Sequence, residues 1–111
     1  MTIYSPFSVV DVPFPFVDSG RQKTRPALVL SDTAFQAANA AVVLAMITSA
    51  ERSAWFGDIA LRDWREAGLQ KPSILRWKVF TIESVLIARA RAPLSAYDAI
   101  AVRNGFRMTF P

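Results

Sequence analysis

Seven consecutive apolar residues, Ala41-Val42-Val43-Leu44-Ala45-Met46-Ile47, set the tightest limit on how this chain can fold. The run is valine-rich and apolar throughout, which fits a central strand. With Ala40 it is the longest apolar run, far short of the ~20 residues that cross a bilayer as a helix. Around such a strand the 111 residues have room for one domain, taken as residues 1–111. Apolar residues make up 52% of the chain. That share is high for a small domain, so part of the apolar surface is expected to lie in an interface between two copies.

The flanking segments read as further short elements. Val9 to Val12 forms a first strand. Pro13-Phe14-Pro15-Phe16 continues it but cannot donate at the prolines, so it leads into a loop. Asp18-Ser19-Gly20 signals a turn within a polar, exposed loop from Val17 to Thr24. Pro26 to Ser31 is a short buried strand, and Asp32 with Thr33 can cap a helical turn reaching Ala38. Phe56 to Leu61 and Ser73 to Thr81 are strand candidates. In the second, Arg76 and Lys78 alternate with Leu75, Trp77 and Val79. Asp63 to Ala67 reads as a short helix stopped by Gly68. A final helix has Ser95 at its cap, Asp98 three residues on and Leu94 before it, and Gly105 can end it. The expected fold is mainly β with short helices: a small, twisted, barrel-like sheet and a C-terminal helix.

Charge is unevenly spread. Residues 1–60 carry four basic and five acidic groups, and residues 61–111 carry nine basic and four acidic ones, or −1 against +5. Ten of the thirteen bases are arginine, whose planar fork suits phosphate oxygens. A polyanionic partner fits this balance. Cysteine and histidine are absent. Disulfides, thiolate nucleophiles, Cys-ligated zinc and histidine bases are therefore excluded. A metal site would be built from oxygens alone. Asp32, Asp58, Asp63 and Glu83 are too scattered to single one out, so neither metal nor cofactor is expected. Met1 to Pro6 lacks the basic segment and long apolar run of a secretion signal, so a cytoplasmic protein with no membrane association is expected.

The four glycines form no phosphate-binding loop, and no Gly-x-Ser-x-Gly elbow occurs. Two places put a polar group at a strand end, where side chains of neighbouring strands can converge on one cleft. They are Arg25-Pro26 and Ile47-Thr48-Ser49. By themselves these also fit an ordinary surface arginine and a turn whose hydroxyls bond nearby backbone.

Taken together, three motifs resemble the N-terminal motifs of the MazF/PemK toxin family, in that family's order and spacing. They are Asp11-Val12-Pro13-Phe14-Pro15-Phe16, Arg25-Pro26-Ala27-Leu28-Val29-Leu30-Ser31 and Ile47-Thr48-Ser49. Asp63-Trp64, Ala67-Gly68-Leu69 and Lys71-Pro72-Ser73 are similar to its middle segment, and Leu94-Ser95 to its end. The resemblance spans roughly residues 7 to 105. It departs at Phe7-Ser8, where the family often has Gly-Asp.

The resemblance implies an SH3-like small barrel, a homodimer and a metal-independent, sequence-selective endoribonuclease acting on single-stranded RNA. It also implies neutralisation by a cognate antitoxin with an acidic, flexible tail. It places the catalytic pair at Arg25 and Thr48. The RNA supplies the attacking 2′-hydroxyl, so the expected products are a 2′,3′-cyclic phosphate and a 5′-hydroxyl. RNA contacts are expected from Ser49, Phe16, Arg21, Lys23, Arg76, Trp77 and Lys78. Of the stacking candidates Phe14, Phe16, Trp55, Trp64 and Trp77, most are expected in the core. Trp77, set between two bases, is the expected exception. The alternative is a non-enzymatic toxin of the same barrel class, like the CcdB family that binds DNA gyrase, which has no need of an Arg25/Thr48 pair.

Overall fold

The computed structural model describes residues 1–13, 23–51 and 54–111. Among these residues the chain runs through β1 (Ser8–Pro13), β2 (Thr24–Val29), α1 (Thr33–Asn39), β3 (Ala41–Ser49), β4 (Ile59–Ala60), β5 (Ser73–Glu83), β6 (Arg89–Pro93) and α2 (Ala96–Thr109), with a 3-10 turn at Ser84–Leu86. The strands pair antiparallel into one sheet in the order β4-β5-β3-β2-β1-β6. The sheet curls into a half-barrel with α2 at its C-terminal end.

The apolar run lies at the centre, with β3 between β5 and β2. Successive residues of a strand point to opposite faces, and the sequence is apolar on both, so the sheet carries a core on each side. Val10, Val12, Ala27, Val29, Val42 and Leu44 form one. Val9, Leu28, Ala45, Ile47 and Leu75 form the other, closed over by Leu61, Leu94 and Val102. Gln36 of α1 is buried, and it satisfies its amide by accepting from Tyr4 N at 2.8 Å and donating to Tyr4 O at 2.7 Å.

Strand β5 departs from simple alternation. Ala45 faces Val79 but Met46 faces Arg76, so Trp77 and Lys78 form a bulge outside the ladder. Arg76 is thereby buried, Trp77 packs on the core beside α2, and Val79 is exposed.

Ser95 caps α2 as its sequence suggests, its hydroxyl accepting the Asp98 N–H at 3.2 Å. Asp98 is engaged elsewhere. Its carboxylate accepts the backbone N–H of Arg62 at 3.0 Å and of Asp63 at 2.8 Å. Residues 62–68 are held there as a series of turns, where a helix from Asp63 to Ala67 was expected. Gly68 closes them at φ +84°, a left-handed conformation that glycine adopts without strain.

Helix α2 runs through Gly105 to Thr109, past the stop expected at that glycine. A Cβ at Gly105 would stand 2.5 Å from Ile59 Cδ1 and 3.3 Å from Trp77 Cζ2. Glycine is there for close helix–sheet approach. The Trp77 ring then meets Phe106 and Phe110 edge-on, at 6.0 and 5.7 Å. The strand expected over Phe56 to Leu61 shortens to β4, because the Asp58 N–H turns back to the Trp55 carbonyl at 3.1 Å. No helix among the described residues is long and apolar enough to cross a membrane.

Candidate active site

Strand β2 begins at Thr24, two residues before the start expected at Pro26, and β3 continues through Ser49. Arg25, Thr48 and Ser49 are therefore strand residues. In the β2–β3 ladder Ala27 faces Met46. That pair ends the ladder, and beyond it Arg25 pairs with Val12 of β1 and Thr48 with Ile74 of β5. Arg25 and Thr48 are half-buried, and both line a cleft of about 450 Å³ at this end of the sheet.

The apolar lining of the cleft is Pro26, Ile47 and Leu69, and Ser49, Gln70 and Ser73 add polar groups. Among the described residues its cations are Arg25, Lys71 and Arg91, against the carboxylate of Glu51. The hydroxyls differ in their commitments. Ser73 Oγ donates to the Lys71 carbonyl at 2.8 Å, and Ser49 Oγ accepts the Glu51 N–H at 3.3 Å. Among the described residues, the Thr48 hydroxyl and the Arg25 guanidinium have no hydrogen-bond or ion-pair partner. An arginine with its donors uncommitted in a cleft can grip an incoming anion through two parallel bonds.

Arg91 is a cleft residue that the sequence reading missed, as it missed a site role for Lys71. Arg91 Nε donates to Asp11 Oδ1 at 2.9 Å and its Nη1 to the Gly68 carbonyl at 2.6 Å. The second Asp11 oxygen accepts Arg89 Nε at 2.9 Å. Side-chain exposure is 8% for Asp11, 17% for Arg91 and 62% for Arg89. The alternation Arg89-Ala90-Arg91 on a strand was the available signal. The partner that turns it into a site lies 80 residues away in the sequence.

Of the remaining candidates, Arg76, Trp77, Lys78 and Lys23 are described and are not among the residues lining this cleft. Arg76 is paired with Asp58, and their side chains are 8% and 10% exposed. Burial pushes the Asp58 carboxyl up. The hydrogen bonds from Arg76 and the Trp55 backbone, together with the charge of Arg76, outweigh this and hold it below the usual carboxylate range. Arg76 and Lys78 both lie over the Trp55 ring, at 5.0 and 5.9 Å. Of the described stacking candidates Trp55 is exposed, whereas Trp64 and Trp77 pack against the core. The bulge in β5 is the reason that Trp77 faces inward, contrary to expectation. Lys23 is exposed just ahead of β2. Phe14, Phe16 and Arg21 lie outside the described residues.

The carboxylates have separate engagements. Asp32 caps α1, Asp58 pairs with Arg76, and Asp63 takes Arg62 and the Ser95 hydroxyl. The Arg62 hydrogen bond, with that of Ser95, holds Asp63 below the usual carboxylate range. Among the described residues no three acidic side chains gather as metal ligands would.

Residues 5–110 match the sequence family described as PemK-like, MazF-like toxin of type II toxin-antitoxin system. A search of curated proteins by sequence returns no match. Among solved structures, the chain is similar to a mycobacterial endoribonuclease in complex with its cognate antitoxin. That TM-score is 0.74 at 12% identity, over 100% of this chain and 98% of the other. It is similar to MazE-MazF from Deinococcus radiodurans, with a TM-score of 0.73 at 16% identity over 98% and 96% of the two chains. It is also similar to the Mycobacterium tuberculosis toxin MazF-mt6, with a TM-score of 0.69 at 20% identity over 93% and 95%. At these identities the structural likeness speaks for the fold, and the sequence-family match speaks for descent.

Proposed function

The chain belongs to the PemK-like, MazF-like toxins of type II toxin-antitoxin systems, and from that premise we propose that it is a metal-independent endoribonuclease cutting single-stranded RNA at the Arg25/Thr48 cleft. One observation carries the assignment to this cleft. Arg25 and Thr48, from adjacent strands, line a single cavity, and neither side chain is committed to another described residue.

RNA brings its own nucleophile, the 2′-hydroxyl beside the scissile phosphate. That oxygen bonds to phosphorus as the bond to the 5′-oxygen breaks. The 2′-hydroxyl proton is lost and the leaving oxygen gains one, which leaves a 2′,3′-cyclic phosphate and a 5′-hydroxyl. The protein must align the two oxygens and stabilise charge on the phosphorane. Arg25 meets the second need, since its fork spans two phosphate oxygens. Arginine does not release its proton in proteins, so its share is charge. The Thr48 hydroxyl is placed to bond a phosphate oxygen or orient the 2′-hydroxyl, with Ser49 next to it. DNA lacks the nucleophile and is not cut.

The same cleft suits a cognate antitoxin. Among the described residues three cations against one carboxylate line it, and a flexible acidic segment can fold into such a groove. Complexes of structural neighbours with antitoxins support this partner. Tyr97, Ile100 and Met108 along α2, with Phe56, are exposed, and they give a second copy apolar surface to cover. The protein then works as a homodimer in the cytoplasm, where messenger RNA is met. None of the matches above is to a gyrase-binding toxin.

Incubation with a long RNA in excess chelator, followed by mapping of the ends, tests the reading. Cleavage leaving cyclic phosphates is expected. Intact RNA after incubation with well-folded protein would overturn it.

A further inference from the structure

The cleft holds more positive charge than one phosphodiester requires. The proposed reaction uses Arg25 and leaves Arg91 and Lys71 without a role. Arg91 differs from Arg25 in being fixed. Two of its donors are spent on Asp11 and on the Gly68 carbonyl, and its other N–H groups belong to a side chain that lines the cavity. A guanidinium already held in place loses little freedom when it binds. Asp11 does not cancel it, because that single carboxylate also serves Arg89. Arg89 is largely in solvent and screened, whereas Arg91 is mostly buried and keeps its field within the cleft. The β1–β6 ladder sets this up. Asp11 faces Arg89, and Arg91 follows two residues on, on the same face of the strand.

We propose that Arg91, with Lys71 on the same cavity, forms a second phosphate subsite that binds the RNA backbone phosphate next to the scissile one and so anchors the strand in the cleft. This rests on the reading of the cleft as an RNA site. Asp11 is a positioning residue: it aims Arg91 and does not touch the RNA.

The test uses the full chain and an RNA with one 2′-deoxy nucleotide at the scissile position, which binds and is not cut. Binding is titrated at several salt concentrations, beside cleavage of the unmodified RNA. Arg91→Gln can still hydrogen-bond Asp11 but loses the charge, and Lys71→Ala removes an exposed charge. Each is expected to weaken binding about 10-fold and to lower the slope of log K against log salt by about 0.7, the figure for one phosphate contact on a single strand. KM should rise about 10-fold while kcat stays within about two-fold. Asp11→Asn should also weaken binding although it raises the net charge by one, where bulk electrostatics alone would tighten it.

An unchanged affinity and slope in Arg91→Gln, with an unchanged melting temperature, overturns the subsite. If Arg91→Gln melts early, Lys71→Ala decides, and an unchanged slope there overturns it. Arg25→Ala separates the two claims. If it abolishes cleavage while Arg91→Gln does nothing, only the second subsite fails. If neither variant alters cleavage, the RNA reading of the cleft fails as well.

Discussion

Arg76 grips Asp58 at two points, Nε to Oδ1 at 3.2 Å and Nη2 to Oδ2 at 2.9 Å, with both side chains nearly out of reach of water. Removing one member strands the other as a buried charge, which costs about 3–5 kcal/mol in such pairs. Arg76→Met should lower stability by about 3 kcal/mol in urea melts. The double variant Arg76→Met/Asp58→Leu should lose less than the sum of the single losses. An Arg76→Met protein as stable as wild type would show that the pair contributes nothing.

The same pair gives the stability a pH dependence of known sign. The folded-state Asp58 carboxyl lies below the usual range, and the unfolded one titrates near about 3.9. In the window between them the unfolded chain binds more protons, so stability rises with pH. The contribution is fully present above the unfolded value and disappears as pH falls through the folded one. Asp63 shifts in the same direction through Arg62 and Ser95. Melting temperatures taken from neutral pH downward should fall steeply in acid for wild type and less steeply for Asp58→Asn. Parallel curves would exclude Asp58 as a source.

Arg25→Ala should slow RNA cleavage at least about 100-fold, the scale of losing one transition-state charge donor. Thr48→Ala should be milder, since a neutral hydroxyl is the weaker donor. Arg25→Lys should rescue only partly, because it keeps the charge and loses the fork. Neither Arg25→Ala nor Thr48→Ala should shift stability by more than about 0.5 kcal/mol, as neither side chain has a partner to lose among the described residues. Cleavage rates are to be read beside thermal melts. Wild-type rates in a folded Arg25→Ala protein would remove Arg25 from the site, and loss of activity matched by loss of folding would make its role structural.

Gly105→Ala sets two effects against each other. Alanine gains about 1 kcal/mol of helix propensity, but its Cβ would stand 2.5 Å from Ile59 Cδ1 and 3.3 Å from Trp77 Cζ2. The Ile59 methyl can turn aside. Trp77, packed against Phe106 and Phe110, has less room to move. Overpacking penalties run at about 1–3 kcal/mol, and we expect a net loss of about 1 kcal/mol. In an Ile59→Ala background most of the loss should persist, because the Trp77 contact remains. A stabilised single variant in urea melts would contradict this account.

The parts of the fold legible in the sequence were those that local chemistry decides. The unbroken apolar run marked β3, Asp32 and Ser95 marked helix starts, and both hold in the structure. The failures share a cause, which is a partner distant in sequence. Asp98 holds the turn at Arg62 and Asp63, so no helix forms there. Gly105 reads as a stop until Ile59 and Trp77 are seen beside it. The bulge that turns Trp77 inward leaves no mark in an alternating sequence. The departure at Phe7 falls on a residue with φ +65°, where phenylalanine pays a steric cost that glycine avoids. At the candidate site, Arg25 and Thr48 were singled out by their place at strand ends and by motif resemblance, and Arg91 was missed because its anchor is on β1.

The two rims of the sheet, among the described residues, are β4 and β6. The first is two residues long. The second carries Arg89 and Arg91 and ends on Pro93. Short length, charge and proline are the features by which an exposed strand declines a further strand. A second copy therefore has little to gain by extending the sheet, and contact between subunits is left to side-chain surfaces. The folded sheet likewise offers, among the described residues, no long, flat, unpaired strand on which fibrous aggregates could grow.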